Sequence, residues 1–302
     1  MIRGQTAQKG QTTMSVCRFL LPVNSPESAQ AALRAGLKLA VQLNAHLEVL
    51  HIQPDSRDIA PLAGEGLSGP LIEDMLVATE QADERRAQAL QTLFMQEAMA
   101  AKVAIAGAQF GVDAPSASFM VQEGREEQIV AHKARLADLT IVPHPLAGED
   151  VATAEALHAV LFDSGRPVLL VPVQLPSHIG RRVAIAWNGT AYAASALASA
   201  MHFICRAEAV VILASDEYRR AGPDAVAVQH YLAQHGVEAG LCPFGAINRN
   251  VGAGLLKTAG DFGADLMVMG AYSTASRLRQ LILGGVTRHV LQYAELCVLM
   301  NR

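Results

Sequence analysis

The chain contains an internal repeat. The segment Pro22–Leu33 aligns with Ala186–Leu197, and the shared positions include an asparagine, two alanines and a leucine. Further along, Ala137–Val142 aligns with Ala264–Met269. In both copies the first segment follows a short apolar strand and opens an alanine-rich helix. Because a duplicated pattern of this length describes one folding unit used twice, we predict two similar domains in tandem.

Strand-like and helix-like segments alternate through the second copy. The predicted strands are Arg182–Trp187, Glu208–Ser215, Val237–Phe244, Leu266–Gly270 and Leu296–Met300. The predicted helices are Ala191–Cys205, Pro223–His235, Val251–Phe262 and Leu278–Gln292. Near-continuous apolar strands between amphipathic helices are typical of a parallel sheet that is covered on both faces. The fold class is therefore α/β, with each copy a doubly wound, Rossmann-like parallel sheet.

The first copy shows the same alternation. Its predicted strands are Arg18–Val23, His46–Ile52, Ala117–Val121, Leu139–Val142 and Val168–Val171. Its predicted helices are Ser28–Leu43, Ile72–Lys102, Glu126–Arg135 and Thr153–Phe162. The extra segment Gln53–Pro70 is rich in proline and glycine, so we predict a mobile loop there.

The domain boundaries follow from breaks in the pattern. Residues 1–14 are polar and lack the apolar segment of a secretory signal, so we predict a flexible leader. Residues 15–175 then form the first domain and residues 181–302 the second. Between them, Gln174–Gly180 contains proline, serine and glycine, which interrupt both periodicities.

Composition excludes several classes of protein. Hydrophobic residues make up 51% of the chain and charged residues 17%, which suits a globular fold. A net charge of -4 disfavours binding to nucleic acid. The longest apolar runs have the length of strands, so no membrane-spanning segment is expected. The four cysteines are widely spaced, which predicts reduced core thiols in a cytoplasmic protein and no metal site.

A glycine pair near the end of the chain suggests a phosphate-binding turn. Gly284 and Gly285 would let the backbone approach a phosphate closely, and Thr287 adds a hydroxyl beside a helical N-terminus. Taken alone, the pair is better explained as a break or kink in a helix. In doubly wound sheets, however, ligands bind beyond the carboxyl ends of strands where the strand order reverses. Candidate residues therefore also include those that follow the strands of the second copy.

The combination resembles the universal stress protein family in its tandem, two-domain form. Gly270, Gly284, Gly285, Val286 and Thr287 match the nucleotide-binding pattern of that family. The resemblance covers nearly the whole chain and implies a fold like that of the adenine nucleotide alpha hydrolases. It also implies a bound adenine nucleotide, ATP first and AMP or ADP as alternatives. The implied binding residues are Trp187, Asn188, Gly189, Ala214, Met269, Gly270, Ser273, Thr274, Gly284, Gly285, Val286 and Thr287.

Two features depart from the family pattern. Thirteen residues separate Gly270 from Gly284 where the pattern has twelve, and Ser273 or Thr274 stands where a second glycine is expected. Asn188 replaces a common acidic residue, so a magnesium ion would lack a charged ligand there.

The first copy has lost the motif. Pro143 takes the place of Gly270, and the glycine pair is replaced by Ala154–Leu157, which includes a carboxylate. We therefore predict that nucleotide binds only to the second domain.

The sequence leaves three functions to compare. The first is a stress-response sensor or regulator that binds ATP without turnover, because no catalytic base stands beside the glycines. The second is a slow ATPase, and the third is an interaction protein without nucleotide.

The last strands of the two copies offer a route to assembly. Val168–Val171 and Leu296–Met300 are short and apolar, and members of the family dimerise through this strand. We predict that the two strands pair within one chain as an internal pseudo-dimer. Whole chains could then form a homodimer through other surfaces.

Overall fold

One sheet of eleven strands runs through the molecule. The structure, a computed structural model, describes residues 18–54, 69–106, 114–144, 156–271 and 285–302. The strands are β1 Arg18–Val23, β2 His46–Gln53, β3 Ala104–Ile105, β4 Ser116–Glu123, β5 Leu139–Pro143, β6 Val168–Val171, β7 Arg182–Ala186, β8 Ala209–Ala214, β9 Ala239–Pro243, β10 Leu266–Gly270 and β11 Cys297–Asn301.

Helices cover both faces of this sheet. They are α1 Pro26–Leu43, α2 Gly69–Ala100, α3 Glu126–Ala134, α4 Ala191–Ile204, α5 Ala225–Gln234, α6 Val251–Phe262 and α7 Val286–Tyr293. A π-helical segment, Val160–Ser164, continues from helical residues 156–159.

The strand order repeats between the two halves. It runs β3-β4-β2-β1-β5-β6 in the first domain and β11-β10-β7-β8-β9 in the second. Apart from the short edge strand β3, each half has the order 3-2-1-4-5, with parallel neighbours. The order reverses between β1 and β5, and again between β7 and β10, which are the positions where doubly wound sheets form a crevice. The predicted fold class is confirmed.

The two halves meet at β6 and β11, which pair with each other as predicted, and the structure shows that the pairing is antiparallel. Leu170 lies opposite Val298, Leu169 opposite Leu299, and Val168 opposite Met300. All six side chains are fully buried. Because the pairing is antiparallel, the carboxyl ends of the strands in the second domain share a sheet edge with the amino ends of the strands in the first. We call this boundary the seam.

The core consists of two apolar layers, one on each face of the sheet. Helices α1, α2, α4 and α5 contribute to one layer, which includes Leu33, Phe94 and Phe203. Helices α3, α6 and α7 and the π-helical segment contribute to the other, which includes Leu161 and Leu255. Each layer continues across the seam, so the two domains share their hydrophobic core.

Several predicted bounds need correction. The prediction missed β3, because two residues are too few to show a strand period. Helix α2 begins at Gly69, before the predicted Ile72. The helix predicted to reach Phe162 instead continues as the π-helical segment. Helix α7 begins at Val286, and the predicted start of that helix, together with the leader and the loop after β2, lies outside the described residues.

Two of the four cysteines differ from the prediction, and Cys17 lies outside the described residues. Cys297 is a buried core thiol, but Cys205 is exposed and Cys242 is half-buried, because both lie at the ends or edges of their elements. Within the described ranges, no group of three or more metal-ligating side chains could hold a metal ion. None of the helices described is long and apolar enough to span a membrane.

Candidate functional site

The turn after β7 lies at the reversal of strand order in the second domain. Asn188 Oδ1 accepts hydrogen bonds from the Thr190 amide at 3.2 Å and from Thr190 Oγ1 at 2.8 Å. Thr190 Oγ1 in turn accepts from the Ala193 amide and so caps helix α4. The Nδ2 group of Asn188 has no hydrogen-bond partner among the described residues, and this amino group is available to a ligand.

A cleft of about 360 Å³ opens beyond the ends of β7, β8 and β9. Trp187 forms part of its wall and is only 6% exposed. The indole Nε1 of Trp187 donates to the carbonyl oxygen of Pro223 at 2.9 Å, which fixes the ring. Phe244 forms another part of the wall and packs against Tyr218, with 5.9 Å between the ring centroids. The lining residues are Trp187, Asn188, Ala214, Ser215, Asp216, Arg219, Pro223, Asp224, Ala225, Val226, Pro243 and Phe244.

Charged groups of both signs lie at the rim of this cleft. Asp224 caps helix α5 by accepting from the Ala227 amide at 2.9 Å. Asp216 and Arg219 are exposed and form no salt bridge with any residue that the structure describes. Behind the rim, burial raises the pKa of Tyr218 to about 12, so this phenol stays neutral and serves packing. An apolar slot with hydrogen-bonding groups at its mouth suits a planar heteroaromatic ring carrying polar substituents.

The segment before α5 folds over the turn after β7. Gly189 and Gly222 both have positive φ values, +84° and +144°. A Cβ on Gly222 would lie 2.0 Å from the Gly189 carbonyl oxygen, so only glycine permits this approach. The Arg220 amide also donates to the Asn188 carbonyl oxygen at 2.8 Å. Gly189 therefore has a structural role, because it lets the segment before α5 pack against the turn after β7.

Gly270 ends β10 in close contact with the start of α4. A Cβ at this position would lie 2.5 Å from the Ala193 nitrogen and 2.7 Å from the Tyr192 carbonyl carbon. Packing alone therefore requires glycine here. Its neighbour Met269 has a fully buried side chain in the core. Only the backbone of these two residues is available to a ligand.

A second cleft, of about 520 Å³, lies between the N-termini of α6 and α7. Gly285 and Val286 line it, and a Cβ on Gly285 would lie more than 4 Å from every neighbour that the structure describes. Arg249 and Arg288 add positive charge to the lining. Thr287 stands in the first turn of α7. The cleft thus combines helical amides with guanidinium groups, the chemistry that binds phosphate.

A tight turn supports the α6 side of this second cleft. Asn248 and Arg249 have φ values of 50° and 63°, and the turn is closed by hydrogen bonds between Ile247 and Asn250. Asn250 Nδ2 donates to His289 Nδ1 at 2.9 Å, linking α6 to α7. Partial burial lowers the pKa of His289, which favours the neutral ring, and Nδ1 is the acceptor because the Asn250 amino group can only donate.

The twelve residues predicted from the sequence fall into four groups. Trp187, Asn188 and Ala214 line the first cleft. Gly285 and Val286 line the second, with Thr287 following them. Gly189, Met269 and Gly270 lie at strand ends between the clefts. Ser273, Thr274 and Gly284 lie outside the described residues.

The sequence reasoning missed much of the first cleft. Ser215 and Asp216 follow β8 directly, so the strand-end rule that selected Ala214 applies to them equally. Arg219 and Phe244 are harder to find, since each reaches the cleft from a loop whose path the sequence does not reveal.

The corresponding turn in the first domain is occupied by the protein itself. Asn24 aligns with Asn188, and its Nδ2 group donates to both carboxylate oxygens of Glu126 at 3.0 Å. Of the segment that replaces the glycine pair, Ala156 and Leu157 are buried in the core, and the two residues before them lie outside the described ranges.

Comparison with solved structures identifies the fold. A universal stress protein from Archaeoglobus fulgidus DSM 4304 matches 94% of this chain and 98% of its own, with a TM-score of 0.65 and 16% identity. A protein from Pseudomonas aeruginosa UCBPP-PA14, provisionally named a universal stress protein, covers 95% of this chain and 93% of its own, with a TM-score of 0.52 and 15% identity. A functionally unknown protein from Pseudomonas aeruginosa PAO1 covers 95% and 92%, with a TM-score of 0.51 and 15% identity.

A scan against family models and a search of curated proteins found no match to this sequence. The repeated strand order and the matches along nearly the full chain define a tandem α/β protein. Its fold is that of the universal stress proteins, so the resemblance noted in the motif is confirmed at the level of the fold.

Proposed function

We propose that this chain is a universal stress protein that binds an adenine nucleotide in its second domain. ATP is the first candidate ligand, with AMP and ADP as alternatives. The observation that carries the proposal is the cleft beyond the ends of β7, β8 and β9, next to the reversal of strand order, which the predicted residues Trp187, Asn188 and Ala214 line. Its volume and flat apolar walls suit a purine base.

Each part of the nucleotide has residues that fit it. The rings of Trp187 and Phe244 supply apolar walls for the base. The free amino group of Asn188 donates a hydrogen bond, and the Asp216 carboxylate accepts from a hydroxyl or an amino group. The amides at the start of α7 and the Thr287 hydroxyl suit the phosphates. Asn188 brings no charge to a magnesium ion, so binding does not depend on a tightly held metal.

The proposed role is sensing or regulation in the cytoplasm, as the resemblance implies. ATP hydrolysis requires a positioned water and a group that orients it. The two clefts offer carboxylates at the base end, where Asp216 and Asp224 lie, and cations at the phosphate end. This distribution favours binding over turnover, and a slow ATPase is the alternative that a timed ATP to ADP assay addresses.

A second candidate is an interaction protein that works without nucleotide. The contacts of Gly270 favour it, because the start of α4 already fills the space beside this glycine. The segment that covers Gly189 also narrows the approach to the turn. In that case the fold would only present surfaces to a partner.

Trp187, the single tryptophan of the chain, allows a direct test. Because its ring lines the cleft, adenosine or ATP bound there should change the tryptophan fluorescence. Ala214→Leu places a larger side chain at the end of β8 inside the cleft and should abolish the change. Ala209→Leu is a matched control, since Ala209 begins the same strand at the opposite sheet edge and is similarly half-buried.

The outcomes separate the two candidates. A saturable signal that Ala214→Leu removes and Ala209→Leu keeps supports nucleotide binding in the cleft. No signal, together with no nucleotide in the purified protein by absorbance at 260 nm and mass spectrometry, rules out the proposal and favours the interaction protein.

A further inference from the structure

The seam brings arginines of both domains together at one sheet edge. Met300 lies opposite Val168 in the antiparallel pair. Continuing this register by two residues places Arg302 opposite Arg166. A side-chain contact agrees with this placement, because the Arg302 guanidinium carbon lies 4.4 Å above the ring of Phe162, four residues before Arg166.

A third arginine joins this pair from α3. Arg166 Nε donates to the Arg135 carbonyl oxygen at 3.1 Å, and Arg135 Nε donates to the Asp163 carbonyl oxygen at 3.2 Å. Both side chains are exposed. We call Arg135, Arg166 and Arg302 the arginine cluster.

The cluster carries the positive charge of three guanidinium groups. Over the ranges that the structure describes, none of the three guanidinium groups forms a salt bridge. The bonds of Arg135 and Arg166 are to neutral backbone carbonyls, which leaves their terminal nitrogens available. Arg302 Nε is buried and makes no hydrogen bond within the same ranges. Three cations held close together repel one another, so an anion bound among them would relieve that repulsion.

The cluster lies beside the proposed nucleotide site. Gly270 pairs with Asn301, and the Ala271 amide donates to the Asn301 carbonyl oxygen at 2.9 Å. Arg302 therefore directly follows Asn301, which is paired with the last residue of β10. Its guanidinium carbon also lies 5.7 Å from the ring centroid of Tyr192, the residue that packs against Gly270. Neighbouring strands lie about 4.8 Å apart, so Arg166 is roughly two strand spacings from β10.

We propose that the arginine cluster is an anion site built by both domains, and that it takes the terminal phosphate groups of the nucleotide. This inference rests on the proposed function, since it names a further part of the same ligand. Guanidinium groups match phosphate well because they donate two parallel hydrogen bonds. The first domain, whose own turn after β1 is occupied by Glu126, would thus contribute Arg135 and Arg166 to the site of the second.

The test compares three ligands by calorimetry on the full chain: ATP, adenosine and inorganic tripolyphosphate. Arg166→Gln and Arg302→Gln should each weaken ATP and tripolyphosphate about tenfold or more, and should leave adenosine unchanged. Arg206→Gln is the matched control. Arg206 also donates to a backbone carbonyl, that of His202, but lies at the other end of α4. The Arg206→Gln variant should bind all three ligands as the unchanged chain does.

The ligands distinguish this inference from the proposed function. Tripolyphosphate binding that depends on the arginines, without adenosine binding, supports the cluster and removes the nucleotide site. Adenosine binding with ATP affinity unchanged in both variants overturns the cluster alone. If the variants weaken the binding of adenosine as much as that of ATP, the arginines are structural. The same holds if the thermal unfolding temperature of Arg166→Gln falls while its ATP affinity stays the same. Binding of none of the ligands overturns both proposals.

Discussion

Both domains have an asparagine after their first strand, but the two side chains make different hydrogen bonds. Asn24 is tied to the carboxylate of Glu126, whereas Asn188 bonds to its neighbour Thr190 and keeps its amino group available. The cause lies in the connection that follows the third strand of the shared topology. In the first domain only Gly124 and Arg125 separate β4 from α3, which brings Glu126 to the turn.

The connection in the second domain is longer. Residues 244–250 separate β9 from α6, and they place Phe244 in one cleft and the turn at Asn248 and Arg249 in the other. One fold thus supports a closed turn in one copy and two open clefts in the other. The comparison shows that the two turns differ because of the loop after the third strand, while the order of the strands is the same.

The largest expected effect tests whether the two unlike domains share one core. Leu169→Ala removes a buried side chain on the first-domain side of the seam and should cost about 2 to 5 kcal/mol in the free energy of unfolding. Denaturant unfolding should report the loss through Trp187 fluorescence, a probe in the second domain, and through circular dichroism alike. Two separate transitions, with the Trp187 transition unmoved, would show that the domains are independent.

The next effect concerns acid stability in the second domain. Burial, together with the smaller effect of Arg206, lowers the pKa of His202 to about 4, although Asp138 and the Ser199 backbone oppose the shift. Since the folded-state pKa lies below the ordinary value of about 6.5, the neutral ring stabilises the fold above pH 6.5. That contribution is lost as the pH falls toward 4, by up to about 3 kcal/mol.

Unfolding free energies measured from pH 7 to pH 4 check this prediction. His202→Gln should reduce the loss of stability over that window, and the buried His46 and His51, whose pKa values burial also lowers, should account for part of what remains. His235→Gln, a change at the exposed histidine that directly follows α5, should leave that loss of stability as in the unchanged chain. A profile that His202→Gln does not alter contradicts the assignment.

Thr287→Ala addresses the phosphate end of the second domain. If its hydroxyl reaches a charged phosphate, the substitution should weaken ATP binding by about 1 to 3 kcal/mol in a calorimetric titration. Thr258→Ala is the control, since that hydroxyl bonds to the Gly254 carbonyl oxygen inside α6. Equal affinities for the Thr287→Ala variant and the unchanged chain would remove Thr287 from the site.

The smallest effects are expected when each of the two aligned asparagines is replaced by alanine. Asn188→Ala should weaken ATP by about 1 kcal/mol, because it removes one hydrogen-bond donor. Asn24→Ala should instead lower stability by about 1 kcal/mol and leave ATP affinity unchanged, since it breaks the bond to Glu126. Reduced ATP affinity in the Asn24→Ala variant would contradict the difference between the two turns.

The sequence predicted the repeat, the parallel sheet and the pairing at the seam, because each depends on apolar patterns that are continuous along the chain. It could not predict the contacts that join distant segments. Asn24 and Glu126 are 102 residues apart, and nothing local indicates that they meet. Gly270 is a second residue whose contacts the sequence does not predict. The motif marks it as a nucleotide-binding glycine, while the structure shows a packing contact with α4 that no spacing reveals.

The candidate site was predictable to the extent that it lies at strand ends. Asn188 and Ala214 follow β7 and β8, so topology alone brings them together. Arg219 and Phe244 reach the cleft through loops, whose conformation depends on tight glycine contacts such as that between Gly189 and Gly222. The register at the seam, which sets Arg302 opposite Arg166, likewise emerges only from the folded sheet.

Nucleotide stoichiometry by native mass spectrometry tests the account most directly. We expect one ATP per chain at saturation, lost in Ala214→Leu and retained in Glu126→Gln, because the proposed cleft for the base lies in the second domain only. Two nucleotides per chain, or one that persists in Ala214→Leu, would contradict the claim that the two copies of this fold differ in their capacity to bind.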